Sequence, residues 1–378
     1  MMYEIAFPDS EVIQKLPGGI YHIDSMKPVL FLFNINGLSV RNRKVRKPLL
    51  FLLSLKFHLL WFITTIANFW CLTDFLSSLQ IFTIITKTIA LAIWWTIRYK
   101  KRDLEDLLLF LKFMWKHLHL ETNLSSRIFI KSPPWLILVA SFLPAVIWIV
   151  ISAPELDSCI IFQATLQSRF LYLGIYFLLL VVQQYINWCI PLAAGSFYIC
   201  YCKELSRVTT KLTVALKAGE LSNTEVRKYY RILIKLIVKL DLALSLPILL
   251  CLTRCFMEFF RALTLYFEYS KDTYEIKYVV CAVFYTFESG VLYIAVILFA
   301  DKLQIECNVL RKSLLRHPDI HNGRNTWKAI EKCSQLFEDK EDIKLTAWKM
   351  LRLKKKVLFT TVTSLLTYGI VLHQFHPN

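Results

Sequence analysis

Apolar residues in this chain gather into long runs, and charged residues gather between the runs. Seven runs approach the roughly 20 residues that a helix needs to cross a bilayer core. They cover 50–72, 78–97, 135–153, 170–199, 242–267, 276–300 and 357–375. The alternation expected of barrel strands is missing, so each run predicts a membrane helix. Pro144, Pro191 and Pro247 fall inside runs, where neighbouring groups repair the local kink a proline makes.

Helical spacing continues well beyond the fourth run, through Cys202, Leu205, Val208 and Leu212, and resumes before the fifth at Val226, Tyr230, Leu233, Ile237 and Leu240. Between them, 217–224 holds Gly219 and Asn223 as turn signals. The pattern predicts a helical hairpin projecting into the cytosol, with an apolar stripe that requires partner helices. Residues 325–352 are amphipathic at helical spacing and are expected to complete that layer. The chain thus divides into an N-terminal cytosolic segment (1–49), six spans with the hairpin (50–324), a cytosolic anchor-helix region (325–356) and a last span (357–378). The fold class expected is an all-α membrane protein with seven transmembrane helices and long cytosolic helical extensions.

Charge orients this framework. Arg41, Arg43, Lys44, Arg46 and Lys47 precede the first run, and Arg98, Lys100, Lys101 and Arg102 follow the second. The 203–239 stretch and the approach to the last run are equally basic. The alternate loops are poor in base: 154–168 has Glu155 and Asp157 and no lysine or arginine. Basic loops face the cytosol, so the N-terminus is expected inside and the C-terminus outside. That is the reverse of a seven-span G-protein-coupled receptor. The sequon at Asn123 then falls inside and stays unglycosylated. No signal peptide is read in 1–40, so the first span is expected to insert the chain itself. The net charge of +17 flanks membrane runs instead of forming a patch on a soluble fold, which argues against nucleic-acid binding.

Chemistry-bearing motifs are missing. Ten cysteines form no CxxC pair; Cys200 and Cys202 read as small buried apolar residues. There is no phosphate loop, nucleophile elbow or metal-ligand helix, and His117, His119 and Glu121 read as solvated. The expectation is no enzyme, no cofactor and no metal. A secondary transporter would show paired internal repeats, and none is seen.

The last run carries the sharpest pattern. Thr360, Thr363, Thr367, Val371 and Gln374 share one helical face, with Ser364 beside Thr363. Val357, Leu358, Val362, Leu365, Leu366 and Leu372 make the other face apolar. A polar stripe of this kind can line water, bond across a helix interface, or bond back to its own carbonyls.

The stretch Thr367-Tyr368-Gly369-Ile370-Val371-Leu372-His373-Gln374-Phe375 resembles the C-terminal signature of insect gustatory receptors, with five apolar positions between Thr-Tyr and Gln-Phe. Length, seven spans, inverted topology and the place of the motif agree with that resemblance. His373 departs from it, standing where the pattern has an apolar residue. Gly369 differs from the sugar-sensing branch, which has glutamate there. The resemblance implies a non-selective cation channel of chemosensory neurons at the plasma membrane, a homo- or heterotetramer gated by a small tastant, bitter or otherwise non-sugar. Four last helices would surround one pore, with the gate at Gln374 and Phe375 and the pore face continuing along Val371, Thr367 and Thr363. An odorant-receptor-type channel is the related alternative.

The resemblance places the ligand in the outer half of spans two to six. Aromatic candidates there are Trp148, Tyr172, Tyr176, Phe256, Phe260 and Tyr285, which serve equally as lipid-interface or packing residues. Arg254, Glu258 and Arg261 stand at helical spacing in the fifth run, and Glu288 lies in the sixth. Charges inside a membrane face partners or water, so these form either a structural ion pair or the wall of a polar cavity. Lys56 and His58 read as snorkelling residues, and Lys87 has no assigned role.

Overall fold

A computed structural model describes residues 26–38, 47–70, 77–117, 169–269, 276–316, 345–347 and 350–375. The third expected span (135–153), with Trp148, and residues 325–344 lie outside the described residues.

The described elements are α1 (Lys27–Ile35), α2 (Lys47–Trp70), α3 (Ser77–Tyr99), α4 (Lys101–His117), α5 (Arg169–Ala218), α6 (Asn223–Tyr269), α7 (Ile276–Arg316), the strands β1 (Thr346–Ala347) and β2 (Leu351–Arg352), and α8 (Lys356–Phe375). Among the described residues, five stretches are long and apolar enough to cross a membrane: Pro48–Ala67, Ile81–Tyr99, Phe177–Ala218, Glu225–Phe267 and Val279–Leu314. They match the first, second, fourth, fifth and sixth apolar runs. The 20 residues of α8 rise about 30 Å, one bilayer core.

Helices α5, α6 and α7 form the centre and pack on one another. Helix α3 lies against α5 and α6, α1 and α2 lie against α5, α4 lies against α6, and α8 packs along α6 and α7. The 50 residues of α5 reach about 75 Å at 1.5 Å per residue, far beyond a hydrocarbon core of about 30 Å. Every residue of the expected hairpin stripe, from Cys202 to Leu212 and from Val226 to Leu240, is buried. The partners are Leu104, Leu107, Leu111 and Met114 of α4 and Leu303, Cys307, Leu310 and Leu314 of α7, all buried in the same core. Helix α7 therefore runs on to Arg316, past the end of its apolar run at 300, because an apolar stripe at helical spacing persists there.

The hairpin turn is short for local reasons. Gly219 adopts φ +71°, a left-handed conformation that glycine enters without steric cost, and ends α5. Ser222 then caps α6. Its hydroxyl accepts from Glu225 N (3.3 Å), and its own N–H donates to Glu225 Oε2 (3.0 Å), a reciprocal capping box. Both α5 and α6 continue through their prolines, Pro191 and Pro247, and Cys251 Sγ donates to the Pro191 carbonyl at 3.5 Å.

The amphipathic stretch 325–352 does not end as a helix. Thr346 and Ala347 pair antiparallel with Arg352 and Leu351. Tertiary partners override the helical pattern there. Asp241 of α6 accepts from Thr346 N at 2.7 Å and from Thr346 Oγ1 at 2.9 Å, and Gln304 of α7 donates to the Leu353 carbonyl at 2.8 Å. Leu345, Ala347 and Leu353 are fully buried. This clamp fixes the chain immediately before α8.

A further element comes from the short apolar run at 29–33. It forms α1, with Val29, Leu32, Phe33 and Leu38 buried. The turn after it docks through Asn36, whose Nδ2 donates to Leu32 O (2.8 Å) and whose Oδ1 accepts from Tyr185 Oη (2.8 Å). Trp94 Nε1 donates to Asn36 O at 2.9 Å.

Candidate ligand site and channel helix

Spacings of four and three put Arg254, Glu258 and Arg261 on one face of α6. That face is turned into the bundle: Arg254 is 0% exposed, Glu258 1% and Arg261 6%. Such burial is costly unless each charge is compensated. Compensation here is partial. Arg254 Nη2 lies 3.6 Å from Glu258 Oε1, and Arg261 Nη1 lies 3.5 Å from Glu258 Oε2. Both are ion pairs beyond the usual 2.7–3.2 Å of a hydrogen bond. Two guanidiniums thus share one carboxylate without donating to it.

Aromatic and polar groups of the neighbouring helices supply the rest. Arg254 stacks on the Trp188 ring of α5 with Cζ 3.7 Å from the centroid, and Arg261 stands 4.3 Å over the Tyr285 ring of α7. The Tyr285 hydroxyl accepts from Arg261 Nη2 at 3.2 Å and from Gln184 Nε2 at 3.3 Å. Polar atoms are nonetheless left over. Nε, Nη1 and Nη2 of Arg254, Nε and Nη1 of Arg261 and Nε1 of Trp188 donate no hydrogen bond, and Oε2 of both Glu258 and Glu288, Oε1 of Gln184 and Oγ of Ser289 have no hydrogen-bond partner. Buried orphans of this kind cost about 1–3 kcal/mol each, so a cluster of them marks a place where water or a ligand completes the bonding.

Of the aromatic candidates, Tyr285 belongs to this cluster. Phe256 and Phe260 do not: they meet edge to face at 4.6 Å, and Phe260 meets Tyr368 of α8 at 4.4 Å. Tyr172 and Tyr176 lie on the first turns of α5. Gln184, Trp188 and Ser289 were passed over in the sequence, although a glutamine and a tryptophan four apart in an apolar run are a readable signal. Lys87 is buried and donates from Nζ to the Thr64 carbonyl of α2 at 3.0 Å, while Trp61 Nε1 donates to the Lys87 carbonyl at 3.1 Å. This lysine ties α2 to α3. His58 Nδ1 bonds the Ser54 carbonyl at 2.8 Å. Among the described residues no group of three His, Cys, Asp or Glu could hold a metal, and Cys200 and Cys202 are buried.

Helix α8 lies at the edge of the bundle. Thr360, Thr363, Ser364, Thr367 and Val371 line an open groove of about 680 Å³ with Phe260, Phe359, Tyr368 and Lys356. Thr360, Thr363, Ser364 and Thr367 each donate to the carbonyl four residues earlier, at 3.0–3.2 Å. They remain exposed while doing so. Gln374 is exposed on the last turn, which ends at Phe375. Attachment to the body runs through Tyr368, through buried Thr361, whose hydroxyl lies 2.6 Å from Tyr293 Oη, and through Val357, Leu358 and Leu365. The face expected to be apolar is only partly covered: Val362 and Leu366 are exposed, as is Ile370.

The family model described as 7tm Chemosensory receptor matches residues 30–378. Two solved structures, the insect olfactory receptor OR5 from Machilis hrabei in complex with eugenol and the same receptor alone, are similar at TM-scores of 0.62 and 0.60. In both, 93% of this chain and 98% of the other are covered at 13% identity. No match is found among curated protein sequences.

Proposed function

The chain belongs to the 7tm chemosensory receptor family, a family of receptors and not of enzymes, and from that premise we propose that it is a gustatory receptor: a ligand-gated, non-selective cation channel for non-sugar tastants. It works at the plasma membrane of sensory neurons as a homo- or heterotetramer. The basic loops put its N-terminus in the cytosol.

One observation carries this reading. Each exposed hydroxyl on α8 commits its proton to a carbonyl of its own helix. What it presents outward is therefore oxygen lone pairs. A column of acceptors of this kind replaces part of a cation's hydration shell and gives nothing to an anion. The exposure of Val362, Leu366 and Ile370 beside that column fits a helix that packs on further copies of itself. Gln374 and Phe375 form the gate, where a ring of phenylalanines closes the path by dewetting and a ring of glutamines hydrates the passing ion.

The stimulus is a small organic molecule; the similar olfactory receptor is solved in complex with one, eugenol. It binds at the membrane-buried cluster of Arg254, Glu258, Arg261, Tyr285 and Glu288. An odorant-type channel is the second reading, favoured by the two solved neighbours; the Thr367-Tyr368 and Gln374-Phe375 ending favours the first.

Whole-cell recording from cells expressing the full chain tests the proposal. Phe375→Ala is expected to raise the standing cation current or to lower the selectivity of ligand-evoked current. An N-terminal tag reached by antibody in intact cells would overturn the channel reading.

A further inference from the structure

The orphaned atoms around Arg254 are not balanced between donors and acceptors. Unused N–H groups come from both guanidiniums and from Trp188, while the unused acceptors are two carboxylate oxygens and one amide oxygen, with Ser289 able to serve either way. Glu258 already lies between both guanidiniums and hydrogen-bonds neither. The surplus donors cannot be met by turning its carboxylate, because moving toward one arginine abandons the other.

We propose that this cluster binds the anionic head of the ligand, a carboxylate, whose two oxygens take the free N–H groups of Arg254 and Arg261. A guanidinium presents donors in a planar fork that matches a carboxylate edge to edge. Trp188 and Tyr285 stack on the two forks; Arg261 Nη2 also donates to the Tyr285 hydroxyl, and the remaining N–H groups of both arginines make no hydrogen bond. Glu288 is the least buried member. The assignment rests on the reading of the cluster as the ligand site, and it names the class of ligand.

The test uses the full chain purified into lipid nanodiscs, with benzoate, benzamide and benzylammonium as probes of one shape and three charges. Binding is read from tryptophan fluorescence and from thermal unfolding. Benzoate is expected to bind roughly tenfold more tightly than benzamide, the worth of one charge-assisted hydrogen bond, and benzylammonium not at all. Arg254→Gln should lose that preference. Glu258→Gln should do the opposite and tighten benzoate about tenfold, since it removes the internal competitor; a purely structural Glu258 would instead weaken every probe as the bundle loosened. Equal binding of benzoate and benzamide, weaker benzoate binding in Glu258→Gln, or no benzoate binding by either readout overturns the assignment. Benzoate binding without evoked current leaves it standing and sinks the gating role. Current evoked equally by neutral and anionic compounds does the reverse.

Discussion

Phe260 of α6 meets Tyr368 of α8 edge to face, with ring centroids 4.4 Å apart and planes at 89°. Phe260 is the neighbour of Arg261, and Tyr368 is the neighbour of Thr367. One aromatic contact therefore joins the helix that carries the buried charges to the helix that carries the hydroxyl column. A shift of α6 about its axis, such as a ligand at Arg261 would bias, moves the ring against which α8 leans. Such pairs are worth about 0.5–1.5 kcal/mol beyond their area, enough to change an opening equilibrium several-fold.

Phe260→Leu is accordingly expected to shift the ligand concentration for half-maximal current by about 2- to 10-fold, with little change in ligand binding to the purified receptor. Equal shifts in binding and in current would place Phe260 in the ligand site and remove it from the coupling path.

The second joint is the 2.6 Å contact between Tyr293 Oη of α7 and Thr361 Oγ1 of α8. Tyr293→Phe and Thr361→Val each remove one partner, and each should cost about 1 kcal/mol of stability. The double variant should cost less than the sum, because the bond is lost only once. Additive losses in thermal unfolding would show that the two hydroxyls do not act as a pair.

Docking of the N-terminal segment depends on residues 36 and 37. Gly37 holds φ +73°, and a Cβ there would lie 2.5 Å from the Ser54 backbone nitrogen. Strain and clash act together in Gly37→Ala, whose conformational part alone is about 1–2 kcal/mol. Asn36→Ala strips the partner from Tyr185 and should cost about 1–3 kcal/mol. Both are expected to lower surface expression, measured by cell-surface labelling. Wild-type levels in both variants would mean that α1 is dispensable.

Asp241 holds the hairpin before α8 through the N–H and hydroxyl of Thr346. Asp241→Asn exchanges an acceptor-only group for one with donors, and should loosen the clamp by about 1.5–3 kcal/mol. Limited proteolysis between Leu345 and Lys356 should quicken relative to wild type. An unchanged cleavage rate would assign the hold to the burial of Leu345, Ala347 and Leu353 instead.

Much of the architecture was legible along the chain. Membrane spans are set by local composition, because a run of about 20 apolar residues has no other stable environment. The hairpin stripe from Cys202 to Leu240 was readable for a similar reason: helical periodicity is a property of the chain itself. So was the polar column of α8, since Thr360, Thr363 and Thr367 need only the pitch of one helix to share a face. Spacing also put Arg254, Glu258 and Arg261 together.

Other features depended on contacts that no local pattern encodes. The amphipathic stretch ending at 352 turns into a strand pair because Asp241, over a hundred residues away, captures Thr346. Asn36 becomes a hub only when Trp94 and Tyr185 arrive from two other helices. The same holds for the buried charges. Whether Arg254 was a closed ion pair or a wall with open valences could not be read from an i,i+4 spacing, which permits both. What the assembled bundle adds is the stacking of Trp188 of α5 and Tyr285 of α7 on two guanidiniums that lie 3.5–3.6 Å from a carboxylate of their own helix. Periodicity fixes which face a side chain occupies, while the valence left free on that face is set by distances between helices, which only the assembled bundle defines.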